Sequence, residues 1–147
     1  MKKLLIIGCA LIGTCCADDN VLFEKSYDYT TVGGLVPSVG IGHREKLDDC
    51  NALDSSVNLS SIVIVSSLTA EIKYLHYYPK NHYVGVGLTA GVVANIAGDA
   101  SAVVAPVITK GWEHEKTFCE INANFPITSK YGTSYIPGLS FRYGFKF

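Results

Sequence analysis

The chain has no basic excess: 12 Lys and Arg stand against 13 Asp and Glu, for a formal net charge of −1. No nucleic-acid partner is expected from such a balance. Beyond residue 17 there is no run of 18 apolar positions, which excludes a membrane protein built from spanning helices. There is no internal repeat and no long linker, and 147 residues suit one domain. Neither Cys50 nor Cys119 belongs to a close His or Cys cluster, and His76 to His82 is too loosely spaced for a site on its own, so no metal is expected. No Gly-x-Ser-x-Gly elbow is present, and Gly85-x-Gly87 is not followed by a helix, so neither a hydrolase elbow nor a nucleotide loop is offered. No cofactor is expected.

What is there begins with an address. Met1-Lys2-Lys3 is a basic start, Leu4 to Gly13 is an apolar run, and Thr14-Cys15-Cys16-Ala17 is a small-residue site before Asp18-Asp19. This reads as a secretory signal over residues 1–17, followed by a single domain over 18–147. The rival is a lipoprotein signal at Cys9 or Cys15. It is the weaker reading, because the apolar run before Cys9 is too short and Thr14 suits the position before a modified Cys poorly. Removal of residues 1–17 leaves 10 basic against 13 acidic side chains, a net charge of −3, and two cysteines, Cys50 and Cys119. A disulfide between them and two free thiols both fit an exported chain.

The rest is rich in Val, Ile, Thr, Tyr and Gly, with turn residues every ten or so positions, the pattern of an all-β barrel or sandwich. The last segment is the clearest. Leu139, Phe141, Tyr143, Phe145 and Phe147 alternate with Ser140, Arg142, Gly144 and Lys146, so a strand places the aromatic row on one face and the small or charged row on the other. In 82–93, Val84, Val86, Leu88, Ala90 and Val92 oppose Tyr83, Gly85, Gly87, Thr89 and Gly91. In 69–78, Ala70, Ile72, Tyr74, His76 and Tyr78 oppose Glu71, Lys73, Leu75 and Tyr77. In 116–127, Cys119, Ile121, Ala123 and Phe125 oppose Phe118, Glu120, Asn122 and Asn124. Pro106, inside the segment 102–112, predicts a bulge or strained pairing. Residues 45–54 read as a charged loop and Ser66-Ser67 as a tight hairpin.

Ser140-Phe141-Arg142-Tyr143-Gly144-Phe145-Lys146-Phe147 resembles the C-terminal strand of bacterial outer-membrane β-barrels. Gly144 is a mild departure, since the usual glycine comes a little earlier. The resemblance implies an antiparallel, up-and-down transmembrane β-barrel in the bacterial outer membrane, a porin-like cell-envelope architecture. Phe141, Tyr143, Phe145 and Phe147 would be the signal read by the barrel-assembly machinery. Parity of the strand count favours eight, with a split at Gly33-Gly34. Lipid satisfies no open sheet edge, so the sheet must close. Tyr74, Tyr78, Tyr83, Trp112 and Tyr135, with Tyr27, Tyr29 and Tyr143, are candidates for the aromatic belts against outer-membrane lipid.

Glu71, Lys73, Glu120, Arg142 and Lys146 fall on the inward faces. Eight strands leave an interior just filled by side chains, so these charges are expected to form a paired plug, with Arg142 and Glu120 as the best pair. A wide pore is not expected. The role implied is structural or surface-interacting, with no enzymatic activity and no surface ligand named by the sequence. Some small outer-membrane barrels are lipid-modifying enzymes, but no His-x-Ser-Asn motif surrounds His43, His76, His82 or His114, and Glu113-His114-Glu115 reads as a charged turn. The alternative is a soluble exported barrel or sandwich around an apolar ligand, in which every face assignment reverses.

Overall fold

The computed structural model describes residues 25–33, 36–62, 65–127 and 138–147. The signal segment 1–17 and Tyr135 lie outside them. Eight strands follow in order: β1 (Tyr27–Gly33), β2 (Ser38–Lys46), β3 (Asn51–Ile62), β4 (Val65–Tyr78), β5 (His82–Asn95), β6 (Ala100–Glu113), β7 (Thr117–Asn124) and β8 (Gly138–Lys146). Each pairs antiparallel with the next, and β8 returns to β1 to close an up-and-down barrel.

The alternation explains why these segments form strands and which way they face. On β2, β4, β5 and β8 one alternating row carries most of the aliphatic side chains and points outward, among them Ile41, Leu68, Val86 and Leu139, each more than half exposed. The opposite positions are buried, including Arg44, Lys73, Leu75, Tyr83 and Arg142. Following register partners around the wall from Tyr27 leads through Arg44, Asp54, Lys73, Gly87, Val107 and Asn124 to Gly138. The closing ladder instead sets Tyr29 against Lys146. That offset is the stagger that tilts strands in a closed barrel.

Two ends result. At the base, β1 begins and β8 finishes, and residues 47–50, 79–81 and 114–116 make the turns. At the rim β1, β3, β5 and β7 finish and β2, β4, β6 and β8 begin, with residues 96–99 making the turn between β5 and β6. Lys80 and Asn81 turn the chain at the base with φ of 68° and 60°. Asn accepts this left-handed conformation readily; Lys80 is the less common occupant.

Three local expectations are corrected. Residues 45–54 are not a loop: β2 runs to Lys46 and β3 starts at Asn51. Arg44 and Asp54 face each other in register and pair inside the barrel, which carries the ladder almost to the turn. Ser66-Ser67 is not a hairpin apex: it belongs to β4, where the Ser67 and Ser66 hydroxyls meet those of Ser60 and Ser61 across the ladder at 2.5 and 2.8 Å. Pro106 causes no bulge, and the β5·β6 register runs unbroken from His82 opposite Trp112 to Ala94 opposite Ala100. The Pro106 carbonyl accepts the Phe125 N–H at 2.9 Å. The N and C=O of a strand residue point to the same side. The missing N–H therefore faces β7 just past its end at Asn124 and costs the β5·β6 ladder nothing. Cys50 and Cys119 are both free thiols, the first in the base turn and the second on β7.

Candidate functional site

The barrel interior is the chemically dense part of the molecule. Glu71, Lys73, Glu120, Arg142 and Lys146 all reach it, because each shares strand parity with an inward glycine, aromatic or small polar residue. The structure adds Arg44, Asp54 and Glu113, all at most 2% exposed. Four cationic and four anionic side chains are thus enclosed together.

Glu120 is the hub. Its Oε1 accepts from Arg44 Nη2 at 2.7 Å and from the Tyr83 hydroxyl at 2.9 Å. Its Oε2 accepts from Lys73 Nζ at 2.8 Å and from Arg142 Nη2 at 3.0 Å. Arg142 Nη2 also donates to Glu71 Oε1 at 2.7 Å. Lys73 Nζ further contacts Glu71 at 3.0 Å and Asp54 at 3.2 Å. Arg44 bridges to the base: Nε reaches Asp54 at 3.0 Å and Nη1 reaches Glu113 at 3.0 Å. Lys146 Nζ meets Glu113 Oε1 at 2.6 Å. Every one of the eight charges has an opposite partner. That is the condition for placing ions out of water, since each ion alone would cost several kcal/mol.

Aromatic side chains complete the cluster. The Arg44 guanidinium carbon lies 4.4 Å from the Phe118 ring centre and 4.8 Å from that of Tyr83. Tyr27 and Tyr77 donate to Glu113 at 2.8 and 2.6 Å, and Tyr29 donates to Asp54 at 2.8 Å. Room for these rings comes from glycine on the neighbouring strand. Gly42 lies opposite Tyr29, Gly111 opposite Tyr83 and Gly144 opposite Phe118, each where a Cβ would strike the ring.

Tyr83 is therefore a correction. It is fully buried inside the barrel, not part of an outer aromatic belt, because it shares parity with Gly85 and Gly87 and is anchored to Glu120. Tyr27 and Tyr29 are inside for the same kind of reason. Tyr74 and Tyr143 stand on the outer face, 40% and 37% exposed. Tyr78 and Trp112 are partly exposed at the base ends of β4 and β6. Lys110 points outward with Nζ 5.5 Å from the Trp112 ring centre. Phe141, Phe145 and Phe147 join Tyr143 on the outer face of the closing strand and just past it.

Arg44, Asp54 and Glu113 were missed as interior groups. Extending the alternation of β2 would have found Arg44, since Gly40, Gly42 and Arg44 repeat the small-to-charged row of β8. For Asp54 and Glu113, proximity to turn residues masked the same signal.

A closed eight-strand wall with an ionic interior and an apolar exterior decides the architecture. The chain has the fold of the small outer-membrane β-barrels. Among solved structures it is similar to the crystal structure of the N-terminal β-barrel domain of Pseudomonas aeruginosa OprF, with a TM-score of 0.53 and 19% identity over 83% of this chain and 96% of that one. At that identity the likeness is one of fold. No protein-family model and no curated relative matches the chain. For the barrel so placed, the interior cluster offers charge pairing and rigidity. Among the described residues no group of three or more His, Cys, Asp or Glu is placed to hold a metal ion.

Proposed function

We propose that this is a small bacterial outer-membrane β-barrel, exported by the signal at residues 1–17, with a structural or surface-interacting role and no catalytic activity. The observation that carries the reading is the inversion of polarity. Val39, Ile41, Leu59, Leu68, Val86, Leu88 and Ile108 are each more than half exposed, while eight charged side chains are enclosed. A soluble carrier of an apolar ligand needs the reverse: an apolar lumen and a wetted outer face. A lipid-facing wall needs this one, with every strand edge closed.

The short turns 47–50, 79–81 and 114–116 suit a periplasmic base, which makes the opposite end the external rim. Tyr74, Tyr78, Trp112 and Tyr143 then sit toward the base, at the inner interface, where Lys110 can reach headgroups past Trp112. The outward row Phe141, Tyr143, Phe145 and Phe147 is the surface offered to the barrel-assembly machinery. The ionic cluster blocks the lumen, so the barrel is not an open pore.

Fractionation with gel migration before and after boiling tests the location. Outer-membrane recovery with a heat-dependent shift is expected; recovery as a soluble periplasmic protein overturns it. Planar-bilayer recording tests the plug. Steady, large conductance steps would show an open lumen and defeat it.

A further inference from the structure

The outer wall is not apolar all round. Among the described strand residues, the carboxylates that point outward are Asp28 on β1 and Glu45 on β2, and β4 to β8 carry none there. Asp28, His43 and Ser55 lie side by side near the base: Asp28 faces His43 in the β1·β2 register, and His43 faces Ser55 in the β2·β3 register. The Asp28 and His43 side chains are 61% and 49% exposed, with His43 Nδ1 2.7 Å from Asp28 Oδ1. A carboxylate only accepts, so the ring donates from Nδ1. An ionisable pair on a lipid-facing wall is costly, and such residues mark sites of function.

This polar row lines a shallow outer groove of about 540 Å3, bordered also by Ala70 and Phe147. On its rim side, Ile41 and Val57 pass into a second groove of about 440 Å3, lined by Val32, Val39, Leu59 and Leu68. All the lining residues lie within the described segments. Short outward side chains, Thr30, Ser55 and Ala70, leave the depression open. The two grooves together are polar at the base and apolar toward the middle of the wall. That is the polarity of a phospholipid, headgroup at the interface and acyl chain in the hydrocarbon. Ser55 Oγ is turned to the His43 carbonyl at 3.4 Å, not to its ring, so the row is not set as a nucleophile and its base.

We infer that this groove seats one phospholipid with a primary-amine headgroup, of the phosphatidylethanolamine type, from the inner leaflet. The inference rests on the outer-membrane reading and names the lipid that this wall selects. Charge decides the headgroup. A primary ammonium has three N–H donors and can give one to Asp28 as a charge-assisted bond. A choline head has no N–H to give. A phosphoglycerol head brings net negative charge toward Asp28 and Glu45. The Ser55 hydroxyl can donate to the lipid phosphate, and an acyl chain lies along Ile41, Val57 and Leu59.

The test uses the full chain folded in dodecylphosphocholine micelles, its fold first shown by heat-dependent migration. The backbone amides of Asp28, His43 and Ser55 are followed by NMR during titration with dihexanoyl phosphatidylethanolamine. The choline and glycerol analogues serve as comparisons. The ethanolamine lipid is expected to give a saturable shift at these three amides and none at Ile108 on the opposite wall; the other two lipids give none. Asp28→Asn, which keeps the shape and removes the charge, should weaken binding roughly tenfold. Ala70→Leu, which fills the groove from outside the lumen, should abolish it. No saturable shift, an equal response to the three lipids, or binding unchanged by either variant overturns the proposal. Shifts that follow protein concentration instead of lipid would put a second copy in the groove and overturn it too. A chain that stays folded and soluble without detergent defeats the outer-membrane reading and the lipid site with it. A micelle-folded barrel without amine selectivity defeats the lipid site alone.

Discussion

The Tyr83 ring occupies the space that a side chain on Gly111 would need, and the two residues face each other in the β5·β6 register. The close approach lets Tyr83 reach Glu120 from the wall. Gly111→Val should therefore destabilise the barrel by about 1–3 kcal/mol, the usual cost of overpacking, with Gly111→Ala milder. Urea unfolding in lipid vesicles measures it. The decisive comparison is a double-mutant cycle: in a Tyr83→Ala background the same Gly111→Val change should cost much less. An unchanged cost would mean that ring and glycine do not compete for space.

Leu88 lies near the middle of β5, 52% exposed on the outer face. In the outer-membrane reading this is the hydrocarbon midplane. Leu88→Arg should cost about 2–4 kcal/mol of folding free energy in vesicles, the value for Arg at that depth. Arg placed at Trp112, at the base end of β6, should cost about 0–1 kcal/mol on the charge term, as near an interface. Equal, small costs at both positions would place the band in water.

Much of this was legible because a strand has a period of two. The faces of β4, β5, β7 and β8 and the Glu120–Arg142 pair follow directly from alternation. Alternation already puts Tyr83 on the inward row of Gly85 and Gly87 and Tyr74 on the outward one; what misled was the preference of tyrosine for membrane interfaces. Gly111 across the ladder makes room for the inward ring. Strand ends were obscured for another reason. Charged residues near turns look like solvated loop, and only cross-strand pairing, as between Arg44 and Asp54, shows that they continue the wall. Pro106 looked disruptive because sequence does not tell which neighbour its missing N–H faces.

The base turn 47–50 carries a pH-sensitive contact outside the strands. Asp48 Oδ1 accepts from Asn51 Nδ2 at 2.8 Å and from the Cys50 N–H at 2.9 Å. These bonds, the Asn51 amide first, hold its carboxyl below the ordinary carboxylate range. A lowered folded pKa means that the stabilisation is complete above the unfolded value of about 3.9 and is lost as pH falls through the folded one. The Cys50 amide shift should accordingly titrate with a midpoint below about 3.9. A midpoint at or above that value would show that the turn does not hold the carboxylate. Asp48→Asn should remove the titration from this amide.

Glu120 accepts from three cations and one tyrosine, so its loss leaves four enclosed cations facing three anions. Breaking a buried pair by removing one member costs about 3–5 kcal/mol, because the remaining charge is stranded. Glu120→Ala should fall in that range in vesicle unfolding, and Glu120→Gln should be less severe if the amide keeps part of the hydrogen bonding. The charge argument makes a sharper demand. Adding Arg142→Gln to Glu120→Gln removes one charge of each sign and restores the balance. The double variant should be more stable than the two single losses summed, with a coupling of about 0.5–3 kcal/mol. Simple additivity would show that the cluster holds the barrel through packing rather than through paired charge.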